Sequence, residues 1–349
     1  MTGPRREERS RNAVPASPAA PRYGGGRRRR RWGARAAWLL LLLAPVVVVA
    51  AGYLSFVRDS DGGGTRSGPP LAVIGANAPA QPEPGGSLEP RSLAPIRLTG
   101  VDSFRVSFRK PPTAALVFDL DSGEVLYRHR PLQVASMASL TKIMTALVVT
   151  EETEPAEPVR ITRDALEYSG SGVGVLPKGK RVRLETLLNG LMIVSGNDAA
   201  IALAVHVSET ERRFVALMNE KARLWGLRCT SFVSSHGLED GNRSCAADLA
   251  VMARLAMRKE RIARIVRWPQ ASFRFPIKGG RLYLAGHNPL IRGGYPGAIG
   301  LKTGYTGKAG RCFVGVARRE GRTLGVVLLN SPNPDTQAPK LLDLGFRYG

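Results

Sequence analysis

Hydrophobic positions divide this chain into three regimes. Residues 36–57 form an uninterrupted apolar stretch of about 22 residues without a charge, including Leu39 to Leu43 and Val46 to Val49. Such a stretch is long enough to span a bilayer as a helix. Residues 58–96 are rich in Gly, Pro, Ala and Ser, carry no repeat, and have little to bury. They read as a tether. From Arg97 onward, apolar residues recur at the spacings of folded structure. Ala114 to Phe118, the turn Asp121-Ser122-Gly123, and Val125-Leu126-Tyr127 predict a β-hairpin. Residues 139–149 predict a helix that is apolar nearly all round, through Ile143, Met144, Ala146, Leu147 and Val148. A helix of that kind belongs in a core.

Further along, Val159 to Ile161 reads as a short extended piece. Thr162 is placed to cap a short helix reaching Tyr168, and residues 169–174 read as a flexible glycine-rich loop. Helices are expected at about 184–193, 198–207, 214–225, 246–257 and 261–268, with a last one at 341–348. Residues 273–277 and 282–285 predict a hairpin around Lys278-Gly279-Gly280. Residues 312–317 and 323–329 alternate poorly, as strands buried on both faces do. The folded part, residues 97–349, is thus a mixed α/β unit, one substantial domain or one with two lobes.

Charge refines the picture of the N-terminus. The chain of 349 residues has a formal net charge of +23. Residues 1–35 hold 11 arginines and two acids, and are otherwise rich in Pro, Gly, Ala and Ser, a composition that predicts disorder. Arginines before the apolar stretch and few after it place the N-terminus in the cytoplasm and the rest outside. The arginine run reads as a determinant of topology and of anionic-lipid contact. A secretory signal has a shorter apolar region, so residues 36–57 are expected to act as an uncleaved signal-anchor. The small residues Ala50, Ala51 and Gly52 leave a cleaved, secreted form as the alternative. A single-stranded nucleic-acid binder would interleave aromatics with basic residues on a sheet, and that pattern is absent, so no nucleic-acid partner is expected.

An exported chain can form disulfides. Of Cys229, Cys245 and Cys312, the first two are the expected pair, and the alternative is three small buried residues. The histidines and cysteines lack metal-ligand spacing, so neither metal nor cofactor is expected.

The chemistry centres on Ser139-Leu140-Thr141-Lys142. Residues three apart on a helix share a face, so the Ser139 hydroxyl and the Lys142 amine would sit side by side. A serine is a poor nucleophile until a neighbour takes its proton, which a desolvated lysine can do. A helix N-terminus adds free N–H groups suited to a developing oxyanion. Ser195-Gly196-Asn197 falls in a turn between two apolar helices and would project polar groups into a cleft, although Ser195 and Asp198 also suit plain helix caps. Residues 300–308 fail the phosphate-loop pattern, since Lys302 stands where a glycine is required. His236 reads as a structural hydrogen-bonder rather than a base.

Ser-x-x-Lys at 139–142, Ser-x-Asn at 195–197 and Lys-Thr-Gly at 302–304 occur in that order. With their flanks, Ala138 to Thr145, Leu188 to Leu191 before Ser195 to Ala200, and Lys302 to Thr306 with Ala309-Gly310, they resemble the serine D-alanyl-D-alanine carboxypeptidases, the low-molecular-weight penicillin-binding proteins. Phe214-Val215, Leu217-Met218-Asn219 and His236-Gly237-Leu238 fit as well. The resemblance covers nearly the whole of residues 114–348. It implies a β-lactamase/DD-peptidase-like fold: a mostly antiparallel sheet flanked by helices, plus an all-helical lobe.

The resemblance also implies roles. Ser139 attacks the penultimate D-alanine carbonyl of a peptidoglycan stem peptide and forms an acyl-enzyme, and β-lactams act as inhibitors. Lys142 is the general base, its proton affinity lowered with help from Lys302. Ser195 relays a proton to the leaving D-alanine, and Asn197 holds Lys142 and the substrate. Lys302 and Thr303 draw in the terminal carboxylate, and Gly304 lets the substrate backbone lie against its strand. The N–H groups of Ser139 and Tyr305 form the oxyanion hole. Two departures stand out. Ile299 precedes Gly300 where the family often has Asp, and the basic residue that helps hold the carboxylate is not evident, with His287, Arg292 and Arg318 as candidates. A D,D-endopeptidase with the same residues and a slow penicillin-sensing or wall-binding protein are the alternatives. No Glu is convincingly placed for a β-lactamase.

Overall fold

The computed structural model describes residues 95–349. The expected basic tail (1–35), apolar span (36–57) and nearly all of the tether lie outside the described residues. Among those described, no helix is long and apolar enough to cross a membrane.

The hairpin read from the first apolar run is present as β1 (Ala114–Asp119) and β2 (Val125–His129). Its turn is tied by Asp119, whose carboxylate accepts the Asp121 and Ser122 amides at 3.0 and 2.8 Å. After the two-residue β3 (Ala135–Ser136) comes a single 3-10 turn, Ala138–Thr141, and then α1 (Lys142–Glu152). The expected helix therefore starts three residues later, and Ser139 sits in the tighter turn that leads into it.

A small hairpin follows, β4 (Pro158–Arg160) with β5 (Arg181–Arg183). The helix expected after Thr162 is only a 3-10 turn, Asp164–Leu166, with no side-chain cap. Thr162 Oγ1 is buried and makes no cap bond, which removes the signal on which the longer helix rested. Next come α2 (Leu184–Ile193), α3 (Asn197–Ser208) and α4 (Glu211–Leu224), the last capped by Thr210 accepting from the Arg213 amide. β6 (Arg243–Ser244) pairs with β3, and α5 (Ala246–Arg258) and α6 (Glu260–Val266) return to the body of the fold. The second expected hairpin is β7 (Gln270–Arg274) with β8 (Arg281–Ala285). α7 (Pro289–Arg292), β9 (Ala298–Thr306), β10 (Gly310–Arg319) and β11 (Arg322–Leu329) precede α8 (Pro334–Tyr348). α8 begins seven residues earlier than the apolar pattern suggests, with Pro334 in its first turn and Pro339 inside it.

The main sheet has the order β2-β1-β11-β10-β9, with every pairing antiparallel. Alternate side chains leave on opposite faces, and both faces are covered. Leu116 and Phe118 of β1, Val314 and Val316 of β10 and Val327 of β11 enter a large core shared with α1, α2, α3 and α5. Val117, Phe313, Val326 and Leu328 enter a smaller core closed by Leu341 and Leu342 of α8. Two buried faces explain why β10 and β11 lack a polar alternation. At the N-terminal edge of the domain, Phe104 stacks on Tyr127 with ring centroids 5.3 Å apart, and Arg128 pairs with Asp102 at 2.6 Å.

Two features of this layout position the site. α1 is buried along its first eight residues, Lys142 to Val149. β9 is an edge strand, with one side of its backbone paired to β10 and the other not paired within the sheet.

Candidate active site

The turn that carries Ser139 is held rigidly. Ala138 adopts a positive φ of 49°, and Thr141 Oγ1 donates to Ala138 O at 2.8 Å. A non-glycine residue in that region costs about 1–3 kcal/mol and persists only where its surroundings enforce it. Gly237 helps to enforce it: at φ +86° it lies so close that a Cβ would run into Ala138 O. From Met137 to Val149, Ser139 is the one residue that is not buried.

Lys142, the first residue of α1, is fully buried. Its Nζ lies 2.7 Å from Asn197 Oδ1, 2.6 Å from His236 O and 3.2 Å from Ser139 Oγ. Burial pushes its proton affinity well below the ordinary lysine range. The Lys302 cation adds to this, and Asp198 and Glu239 oppose it. Desolvation thus comes first and Lys302 second. A neutral amine has two N–H groups and one lone pair. The amide oxygen of Asn197 and the carbonyl of His236 can only accept, so they take the two N–H groups. The lone pair is left for the remaining neighbour, the Ser139 hydroxyl.

Asn197 opens α3, and its other end is also fixed: Nδ2 donates to Ser169 O at 2.6 Å, and its backbone N–H donates to Ser171 O at 2.8 Å. The loop at residues 169–174, expected to be free, is pinned by Asp198. The Asp198 carboxylate accepts the Val173 and Gly174 amides, each at 2.8 Å. Ser195 lies just before, buried, at φ 62°, and its Oγ has no partner. A buried hydroxyl without a partner is uncommon, and a site that receives a polar ligand is one explanation for it.

The Ser234 to Leu238 loop reaches the site through its backbone. Ser235 is clamped by Glu211, which accepts from its N–H at 2.9 Å and its Oγ at 2.6 Å, and Thr145 Oγ1 donates to Ser235 O at 2.5 Å. This fixes the neighbouring His236 carbonyl on Lys142. The His236 ring accepts the Leu238 amide through Nδ1 at 3.3 Å, and burial lowers its proton affinity against the pull of Glu239 and Glu211. With Nδ1 accepting, Nε2 is the ring nitrogen left to carry a hydrogen. The ring makes a structural contact, as expected of it, while the carbonyl takes a part that no side-chain pattern could reveal.

β9 brings up the third motif. Lys302 is buried, donates to Thr303 O at 3.0 Å, and is pushed down to about 7 by burial. Gly304 does not face the open edge. A Cβ there would stand 3.0 Å from Ser139 N and 3.1 Å from Met137 O. Its bareness lets β9 pack against the serine turn. The Tyr305 ring is 69% exposed at the rim.

Of the three basic candidates, His287 lines a small cavity of about 20 Å³ together with Thr303. Arg318 bonds Thr323 Oγ1 at 3.0 Å near the far end of β10, and Arg292 is exposed on α7. Cys229 and Cys245 form a disulfide, and Cys312 is free and buried. Asp248 lies beside that disulfide, but the bonded sulfurs are not available as a metal pair.

A five-stranded antiparallel sheet with a helical lobe, and a serine–lysine pair at the sheet's edge strand, is the architecture of the serine-type D,D-peptidases. The chain belongs to the D-alanyl-D-alanine carboxypeptidase family, peptidase S11, whose sequence pattern matches residues 110–333. It is 37% identical over 245 residues to the D-alanyl-D-alanine carboxypeptidase DacB2 of Mycobacterium tuberculosis, covering 68% of this chain and 82% of that one. It is 34% identical over 265 residues to the D-alanyl-D-alanine carboxypeptidase DacF of Bacillus subtilis, covering 73% of this chain and 67% of that one. The crystal structure of a D-alanyl-D-alanine carboxypeptidase from M. tuberculosis superposes with a TM-score of 0.67 at 34% identity, across 72% of this chain and 97% of that one.

Proposed function

We propose that this carboxypeptidase removes the terminal D-alanine of peptidoglycan stem peptides through an acyl-enzyme on Ser139. The observation that carries this is the environment of Lys142, whose proton affinity burial lowers well below the ordinary lysine range and whose two fixed acceptors leave the lone pair of the neutral amine for Ser139 Oγ.

The substrate carboxylate docks at Lys302 and Thr303, and the peptide lies along the open edge of β9. As Ser139 Oγ bonds to the penultimate carbonyl carbon, its proton passes to Lys142. The oxyanion is met by the N–H groups of Ser139 and Tyr305, each typically worth ~3–4 kcal/mol. Asn197 has a second Nδ2 hydrogen for the substrate backbone. Collapse breaks the C–N bond, and the proton reaches the departing amine through Ser195, whose unpartnered hydroxyl is free to relay it. Water then attacks the ester. Its proton goes to Lys142 and is returned to Ser139 Oγ, and the shortened peptide leaves. A β-lactam would enter the same first step and stay.

The Arg-rich tail, the apolar residues 36–57 and the tether support a single-pass membrane protein with its catalytic domain, residues 97–349, outside the cell. The Cys229–Cys245 disulfide supports an oxidising compartment.

The test uses the full-length chain in neutral detergent with a labelled penicillin and with a pentapeptide ending in D-Ala-D-Ala. The expected result is an adduct on Ser139 and release of D-alanine, both lost in Ser139→Ala and both reduced in Lys142→Ala. An adduct elsewhere, or none on a folded chain, overturns the proposal. A crosslinked dimer assayed alongside separates carboxypeptidase from endopeptidase action.

A further inference from the structure

Away from the catalytic cleft, an open groove of about 510 Å³ lies between the β4–β5 hairpin and the far end of the β7–β8 hairpin. Its walls carry Arg181 and Arg183 on one side and Arg274 and Arg281 on the other, and Phe275 and Pro276 contribute apolar lining. No aspartate or glutamate lines it. Arg181 and Arg183 flank the buried Val182, so the strand's alternation sends both to the solvent face. Arg274 and Arg281 are direct cross-strand partners, and both are exposed.

Like charges directly opposite one another destabilise a strand pair. The usual remedy, an interleaved carboxylate, is missing among the described residues that line the groove. The acid nearest to Arg183 in the chain, Glu185, is already held by Arg261 at 3.1 Å and Arg264 at 3.0 Å. The groove's own polar contacts are few. Arg281 donates to Ser272 Oγ at 2.8 Å, and Arg183 reaches Pro155 O at 3.4 Å. Four guanidinium groups are thus gathered in one concavity, without counter-charge among the described residues, at a cost to the fold.

We propose that this groove binds a phosphoryl polyanion. A guanidinium presents a planar fork that matches phosphate and carboxylate oxygens alike. The groove discriminates by having two walls. A carboxylate offers both oxygens on one edge and satisfies one wall. A phosphoryl group carries its oxygens tetrahedrally and reaches both. A concave site also suits an inserted anionic group better than the flat plane of a bilayer. The base of the β7–β8 hairpin borders the cavity shared by His287 and Thr303. The Arg274–Arg281 pair lies four residue steps further along, about 13 Å at the rise of a strand. A phosphate-bearing chain seated there would hold the enzyme beside its substrate without occupying the cleft.

The experiment is calorimetric titration of the full-length chain in neutral detergent with inorganic tripolyphosphate at fixed ionic strength. Three variants are compared with the wild type: Arg274→Gln/Arg281→Gln, Arg181→Gln/Arg183→Gln, and Arg212→Gln/Arg223→Gln on the exposed face of α4 as an equal change in net charge. The expected result is saturable binding, weakened at least tenfold in both groove variants and by less than twofold in the α4 variant. Penicillin acylation, which the groove does not touch, reports that each variant is folded. Equal weakening in all three, or no weakening in the groove variants, overturns the proposal. So does a result in which the groove variants keep tripolyphosphate affinity and lose only adsorption to phosphatidylglycerol vesicles, which would make the groove a membrane contact.

Discussion

Gly304 on β9 packs beneath Ser139 so closely that a Cβ would stand 3.0 Å from the Ser139 backbone nitrogen. The third motif therefore acts on the first through backbone contact as well as through the Lys302 charge. Adding a methyl group to a packed contact typically costs about 1–3 kcal/mol. Here the strain falls on the turn that carries Ser139, the proposed nucleophile. Gly304→Ala should slow penicillin acylation by about 10–100-fold, at about tenfold per 1.4 kcal/mol of barrier, while circular dichroism stays native. Stopped-flow acylation at the wild-type rate would mean that β9 moves aside freely.

Two lysines with opposite requirements should give a bell-shaped pH profile. Lys142 must be neutral to accept a proton, so activity falls at acid pH as it becomes charged. Lys302 must be charged to hold a carboxylate, and in the free enzyme its pKa is about 7. Above that value kcat/KM for a carboxylate-ended peptide should fall by about tenfold per pH unit. Lys302→Met should be much weaker throughout and should lose the alkaline limb, as pH–rate profiles would show.

The same residue sets a stability trend. Lys302 has a folded-state pKa of about 7 against an ordinary 10.5. Between those values the unfolded chain holds more protons than the folded one, so stability rises with pH across that window. Denaturant melts should show Lys302→Met to be the more stable protein by several kcal/mol at pH 7 and below, with the difference shrinking towards pH 10. No gain at pH 7 would mean that burial does not penalise the ammonium.

The Cys229–Cys245 disulfide closes a loop of sequence separation 16. A loop of that size is worth about 3 kcal/mol in the chain-entropy account. Cys229→Ala/Cys245→Ala should lower Tm by about 6–12 °C for a domain of this size and leave the acylation rate intact, because neither cysteine touches Ser139 or Lys142. Calorimetry and penicillin labelling check the two halves.

Asp198 was legible from the sequence only as a cap. Its carboxylate instead spans to the Val173 and Gly174 amides and shapes the loop that holds Asn197. Hydrogen bonds to a charged group contribute about 1.5–3 kcal/mol. Asp198→Asn should raise hydrogen exchange across residues 169–174 and lower kcat more than it raises KM. Unchanged exchange there would leave the loop's order to other contacts.

What could be read in the sequence follows from where each signal resides. The Ser139–Lys142 pair, the apolar α1, the β1–β2 hairpin and the doubly buried β10 and β11 are side-chain patterns, and patterns survive without coordinates. The His236 carbonyl on Lys142, the direction in which Gly304 faces, and the positive φ of Ala138 and Ser195 are backbone facts without a residue-type signature. Thr162 misled because a hydroxyl before an acidic turn looks the same whether or not a helix follows it. The open question about the carboxylate-holding residue was of a third kind: three basic residues fit by type, and only the fold could say which one lies beside Thr303.

His287 does, sharing a small cavity with Thr303, while Arg318 is engaged with Thr323 near the far end of β10. A histidine there would recognise the substrate carboxylate by donating a hydrogen bond from a ring N–H. His287→Ala should therefore raise KM for the pentapeptide several-fold, with kcat little changed. Arg318→Ala should leave both constants near wild type. Steady-state kinetics of the two variants separate the pair. If Arg318→Ala raised KM and His287→Ala did not, the carboxylate would have to sit further along β9 than Thr303.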